Sequence, residues 1–154
     1  MVKLYQAFSC FWEINKRLLD IRDEAELNQE DMAEILKVSQ SNYSRWENGR
    51  ELIPLNKLNI LFNHFKINMY YVIGISRYSK CNKKYEFDNK IIGDRLRIFR
   101  KEKGITQVEL AEFLNTTQSI ISAYENGKTT LLTAFALQIV KKYNLSLDWL
   151  CGRK

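Results

Sequence analysis

The 154-residue sequence has one proline and six glycines, too few for a turn-rich sheet architecture. It has a single histidine, His64, and three cysteines set far apart, Cys10, Cys81 and Cys151. No cysteine pair has a metal-binding spacing, and no glycine-rich phosphate loop is present. Catalytic residues, a metal and a cofactor therefore find no support, and an enzyme is not expected. An odd number of isolated thiols fits a reducing compartment, so the expected location is cytoplasmic. No run of eighteen apolar residues exists, and no membrane span is expected. The apolar start MVKLYQAFSCFWEI is interrupted by Gln6 and Ser9 and is followed by no cleavage pattern, so it does not read as a signal peptide.

What is present is a repeat. The stretch SQSNYSRWENGR, from Ser39 to Arg50, returns as TQSIISAYENGK, from Thr117 to Lys128, at an offset of 78 residues (117 − 39). Laying residues 15–74 on 93–152 needs no gap. Arg17 meets Arg95, Arg22 meets Arg100, Gln29 meets Gln107, Ala33 meets Ala111, and Glu47-Asn48-Gly49 meets Glu125-Asn126-Gly127. One register held over sixty positions is an internal duplication. The expected organisation is a first unit over residues 1–74 including an N-terminal extension, a basic linker over 75–92, and a second unit over 93–154.

Each unit reads as five short helices, so the fold class is all-α. In the second unit Ile92, Leu96 and Phe99 share one helical face, and Gly104 ends that helix. Thr106 to Glu109 forms a capping box, followed by Val108, Leu110, Ala111 and Leu114 as the apolar positions of helix two. Thr117 caps helix three, whose inner face is Ile121 and Tyr124. Ser146 caps a last short helix. In the first unit Asn28, Ser39 and Asn68 take the same capping places, and Tyr43 and Trp46 face inward. A two-turn helix, a short connection and a second helix, with a small Ala33 or Ala111 between them, have the spacing of a helix-turn-helix.

The residues ITQVELAEFLNTTQSIISAYENGKT and LSLDWLCG closely resemble the Xre/Cro/phage-repressor helix-turn-helix family. Residues 15–74 resemble it through LNQEDMAEIL, SQSNYSRWENGR and INMYYVIG, with Met32 in place of a leucine. The resemblance implies two tandem five-helix lambda-repressor-like domains, double-stranded DNA as partner, and transcription regulation, with repression expected.

Helix three then becomes the major-groove reader. Its outward positions are Gln118, Ser119, Ser122 and Ala123 in the second unit, and Gln40, Ser41, Ser44 and Arg45 in the first. Glutamine can pair with adenine, an alanine methyl can touch a thymine methyl, and arginine can fork onto guanine. Gln29 and Gln107 open helix two, where a side-chain amide joins free backbone amides against a phosphate. The resemblance makes Asn48 and Asn126 phosphate contacts, helped by Arg50 and Lys128. Asn-Gly also simply forms a helix stop. Arg22 with Glu47, and Arg100 with Glu125, are the family's internal ion pairs between helices one and three.

The net charge is +6, and it is unevenly spread. Residues 15–74 hold 8 basic and 9 acidic side chains, residues 75–92 hold 5 and 2, and residues 93–154 hold 10 and 6. Backbone attraction scales with the phosphates neutralised, so the second unit should dominate non-specific affinity. Asp20, Asp23, Glu24, Glu26, Glu30 and Asp31 cluster in the first unit. They motivate an alternative: an antitoxin or anti-regulator in which unit one docks a basic protein partner. The sequence leaves the oligomeric state open between a two-headed monomer and a homodimer.

Overall fold

The computed structural model describes residues 2–74, 76–77, 80–82, 84 and 86–153, with side chains described from Trp12 onward. The regular structure of these residues is ten helices, with two isolated β-bridges and no strand. The chain divides into two compact units, Met1–Ile53 with Lys57–Tyr85, and Glu86–Lys154 with Pro54–Asn56.

In the first repeat α1 spans Val2–Glu24, α2 Gln29–Leu36, α3 Gln40–Glu47, α4 Leu55–Phe65, whose first two residues group with the second compact unit, and α5 Met69–Val72. Polar side chains at the helix entries define these boundaries. The Asn28 side chain accepts from the Asp31 amide, and the Asp31 carboxylate accepts from the Asn28 amide, both at 2.9 Å. Ser39 caps α3 and Asn68 caps α5 in the same sense. Ile14, Leu18 and Ile21 of α1 are buried with Met32, Ala33 and Leu36 of α2 and Tyr43 and Trp46 of α3. Each such aliphatic side chain taken from water contributes about 1.5–3 kcal/mol before entropy is counted. Ala33 lets α2 and α3 approach closely, and the Tyr43 hydroxyl donates to the Leu18 carbonyl at 3.4 Å.

In the second unit α6 spans Asn89–Glu102, α7 Gln107–Phe113, α8 Gln118–Glu125, α9 Thr133–Tyr143 and α10 Leu147–Leu150. Ile92, Leu96 and Phe99 form its buried α6 face, and Leu110, Ala111, Leu114, Ile121 and Tyr124 complete the packing of α6 to α8. The Thr106–Glu109 capping box is closed from both sides. Gly93 brings α6 against the C-terminal end of α8: a β-carbon there would collide with the Tyr124 and Glu125 carbonyls.

The duplication is written into the backbone. The first unit has left-handed residues at Glu26, Lys37, Gly49, Lys66 and Gly74. The second has them at Gly104, Asn115, Gly127, Asn144 and Gly152, each one offset later. Side chains repeat as well. The Arg17 guanidinium lies 4.4 Å from the Tyr71 ring centre, and that of Arg95 lies 4.8 Å from the Trp149 ring centre. Each ties helix one of its unit to helix five by a cation–π contact.

Three details depart from the sequence reading. Helix α6 begins at Asn89, inside the stretch read as linker, because Asp88 caps it by accepting from the Lys90 and Ile91 amides. Helix α1 starts at Val2, whereas the residue equivalent to Asn89 is Phe11, so α1 is nine residues longer at its N-terminal end. Val108 is 51% exposed and is not a core position; it lies in the first turn of α7, beside the buried stripe of Leu110, Ala111 and Leu114.

Candidate nucleic-acid interface

The site in each unit is built outward from a buried carboxylate. In the second unit Glu125, at the end of α8, is fully buried. It takes the Arg100 Nε at 2.5 Å and the Arg100 Nη2 at 3.1 Å, while Arg100 Nη1 donates to the Ile105 carbonyl at 3.0 Å. The Gln107 Nε2 donates to Glu125 Oε2 at 2.9 Å, and Gln107 Oε1 accepts from Gln118 Nε2 at 2.9 Å. A relay thus runs from α6 through the inner end of α8 and the first residue of α7 to the first residue of α8. Its last member, Gln118, is exposed.

The first unit repeats the relay atom for atom. Arg22 Nε meets Glu47 Oε2 at 2.8 Å, Arg22 Nη2 meets Oε1 at 3.2 Å, and Arg22 Nη1 donates to the Leu27 carbonyl at 3.0 Å. Gln29 Nε2 donates to Glu47 Oε1 at 3.0 Å, and Gln40 Nε2 to Gln29 Oε1 at 2.9 Å. Each outward glutamine is therefore pre-positioned through a second glutamine by an ion pair.

Electrostatics keep the relays charged. Burial pushes the Glu125 carboxyl up, but hydrogen bonds from Arg100 and Gln107 and the charges of Arg100 and Arg97 outweigh it. The carboxyl ends below the usual carboxylate range. Glu47 behaves alike: burial raises it, and Arg22, Gln29 and Tyr43 hold it down. Burial also drives the Tyr43 hydroxyl well above its ordinary value.

The other candidate residues lie along α3 and α8 or just past their C-terminal ends. Ser41, Arg45 and Ser119 are exposed, and Ser44, Ser122 and Ala123 are half-buried. Asn48 Nδ2 turns back to the Ser44 carbonyl at 2.8 Å and to Ser44 Oγ at 3.1 Å. Asn126 does the same with Ser122, at 2.9 and 3.3 Å. Both amides thus cap their helix end, beside exposed Arg50 and Lys128.

Two partners escape sequence reasoning. Arg97 donates to Asn126 Oδ1 at 2.8 Å and to the Glu125 carbonyl at 3.2 Å. Its counterpart in the first unit is Leu19, 38% exposed, so only the second unit adds a cation there. Glu51 accepts from Arg45 Nη1 at 3.0 Å. The only sequence signal for either was the mismatch at the repeat offset. Ile120 is also 39% exposed on α8, where the first unit has Asn42.

Residues 96–150 match a protein family described as Helix-turn-helix, and residues 15–74 match one described as Helix-turn-helix domain. The chain is similar to the competence pilus inhibition repressor of Acinetobacter baylyi (strain ATCC 33305 / BD413 / ADP1), 39% identical over 57 residues, which is 37% of this chain and 52% of that protein. It therefore spans about half the length of the curated relative it matches. No solved structure matches it significantly.

Proposed function

We propose that the chain, which carries a helix-turn-helix domain in each half, is a sequence-specific DNA-binding transcription regulator acting as a repressor. The observation that carries this reading is the doubled relay, which ends each time in an exposed glutamine at the start of the outward helix. A glutamine held through its partner can meet an adenine edge without first losing its rotamer freedom, while the partner stays near the phosphate beside it. Gln118, Ser119, Ser122 and Ala123 would read one stretch of major groove. Gln40, Ser41, Ser44 and Arg45 would read another. Gln29, Gln107, Asn48, Asn126, Arg50 and Lys128 would meet phosphates.

The outward helices differ at Arg45 and Ala123, so the two stretches need not be identical. Two readers joined by a basic segment gain from the tether, because binding of one raises the effective concentration of the other. Repression would follow from occupying a promoter, and the name of the Acinetobacter relative agrees with that sign.

The test is a fluorescence-anisotropy titration of the whole chain on duplexes drawn from the promoter region nearest its own coding sequence, against scrambled duplexes of equal length. Tighter binding to one duplex supports the reading, and equal binding to all contradicts it. A second reading has its own observation. Unit one presents Trp12, 72% exposed, and Leu19, where unit two has Lys90 and Arg97. That apolar substitution favours a protein-docking role for unit one, as in an antitoxin or anti-regulator. Under it, Gln40→Ala would leave DNA affinity unchanged.

A further inference from the structure

Arg45 and Glu51 form an ion pair that has no equivalent in unit two, at either end. At the repeat offset Arg45 becomes Ala123 and Glu51 becomes Thr129, so the arginine and the carboxylate are lost together. In unit one the pair is fixed from two sides. The Glu51 amide donates to the Arg45 carbonyl at 3.2 Å, and the Arg50 amide donates to the same oxygen at 2.8 Å, which seats residue 51 over the end of α3. The Glu51 carboxylate then accepts from Arg45 Nη1 at 3.0 Å. Both side chains are about half exposed, 46% and 48%, so the pair stands at the surface rather than in the core.

A guanidinium has five N–H donors in a rigid plane. Glu51 engages the Nη1 corner, and the Nε–Nη2 edge lies outside the pair. Guanine needs two parallel donors, one to O6 and one to N7. An arginine already held by one corner presents such a fork with much of its rotamer freedom removed. The carboxylate also has a cost, since it repels nearby phosphates. A residue that weakens general attraction while orienting a reader shifts the balance from affinity to discrimination.

We infer that Glu51 is a positioning residue for base reading by unit one: it holds Arg45 by Nη1 so that the opposite edge meets a guanine in the major groove. The inference rests on the proposed DNA-reading function and assigns within it the residue that sets one base preference.

The experiment uses the full chain and a panel of single-base variants of its best-bound duplex, measured with the wild type, Arg45→Ala, Glu51→Gln, the double variant and Gln118→Ala. Circular dichroism checks that helicity is unchanged. Glu51→Gln should lower the preference for guanine at one base pair about threefold, the scale of losing one half-exposed ion pair. Affinity for duplexes with another base there should hold or rise. Arg45→Ala should remove the preference at that same base pair, and the double variant should match Arg45→Ala. An even rise in affinity across the panel with Glu51→Gln, guanine preference intact, makes Glu51 only a repelling charge and overturns the inference. An unchanged panel overturns it too. If Arg45→Ala alters no base preference while Gln118→Ala does, the inference fails and DNA reading by unit two stands. If no variant alters any preference, the DNA-reading function itself has failed.

Discussion

Replacing Glu125 by glutamine keeps its size and an acceptor but removes the charge from between two arginines. Glu125 is fully buried and sits at the centre of the unit-two relay, holding Arg100, Gln107 and Arg97. Breaking one side of a buried ion pair costs about 3–5 kcal/mol, because the remaining charge is stranded. Here the Arg100 and Arg97 side chains keep 14% and 35% of their exposure, so water recovers part of that loss. About 2–3 kcal/mol is the expected destabilisation of unit two. For a unit of this size that is roughly 10–20 °C in midpoint.

Glu47→Gln should cost less, about 1–2 kcal/mol, because Glu47 and Arg22 are both slightly more open, at 6% and 19% exposed. The assay is urea unfolding followed by helical ellipticity and by tryptophan fluorescence, with Trp149 in unit two and buried Trp46 in unit one. The pH dependence supplies a second check. The folded Glu125 carboxyl lies below its usual range. Its contribution is therefore complete above the unfolded value of about 4.3 and is lost as pH falls through the lower folded value. Glu125→Gln lacks that contribution at every pH, so wild type and variant should converge as the solution is acidified below about pH 4. A neutral-pH difference under about 0.5 kcal/mol, or parallel acid limbs, would refute the view that this carboxylate organises the unit.

Further outcomes follow from the same geometry. Gly93→Ala should destabilise unit two by about 2 kcal/mol or more, since its β-carbon meets two backbone carbonyls rather than flexible side chains; thermal unfolding reads it. Glu26→Gly and Lys66→Asn, which install the second unit's residues at left-handed positions, should each stabilise unit one by about 0.5–1 kcal/mol; unchanged or lower urea midpoints would contradict this. DNA affinity should fall with salt on a log–log slope of about −2 or steeper, counting one phosphate each for Arg50 and Lys128; a flat dependence would place the basic charge away from the interface.

The duplicated fold was legible because a repeat multiplies weak local signals. Capping residues Asn28, Ser39, Thr106 and Thr117 and the inward faces of α3 and α8 recur at one offset, and the apolar face of α6 stands out by its helical spacing. Val108 misled because an apolar residue in a first helical turn can follow the periodic stripe and still point to solvent. The linker range 75–92 takes in the start of α6 because Asp88, its cap, lies in a polar stretch with the composition of a loop. Glu26, Lys37 and Lys66 adopt backbone angles that a sequence assigns to glycine or asparagine, and only their counterparts Gly104, Asn115 and Asn144 hinted at it. The relay residues were visible one by one. Their joining into a continuous path was not, since hydrogen bonds from Gln29 to Glu47 and from Gln107 to Glu125 span 18 positions and leave no periodic trace. Arg97 and Glu51 were hidden for the same reason, as each meets its partner across a helix end.

The most direct test of the central claim is selection of bound duplexes from a random pool, run with the full chain and with Gln40→Ala and Gln118→Ala. The wild type should enrich sites with two distinct conserved stretches, and each variant should lose the preference in one stretch while keeping the other. The larger affinity loss should come from Gln118→Ala, because unit two carries more of the basic charge and adds Arg97 beside Asn126. No enrichment with the wild type, or a single stretch untouched by both variants, would contradict a chain that reads DNA with two heads.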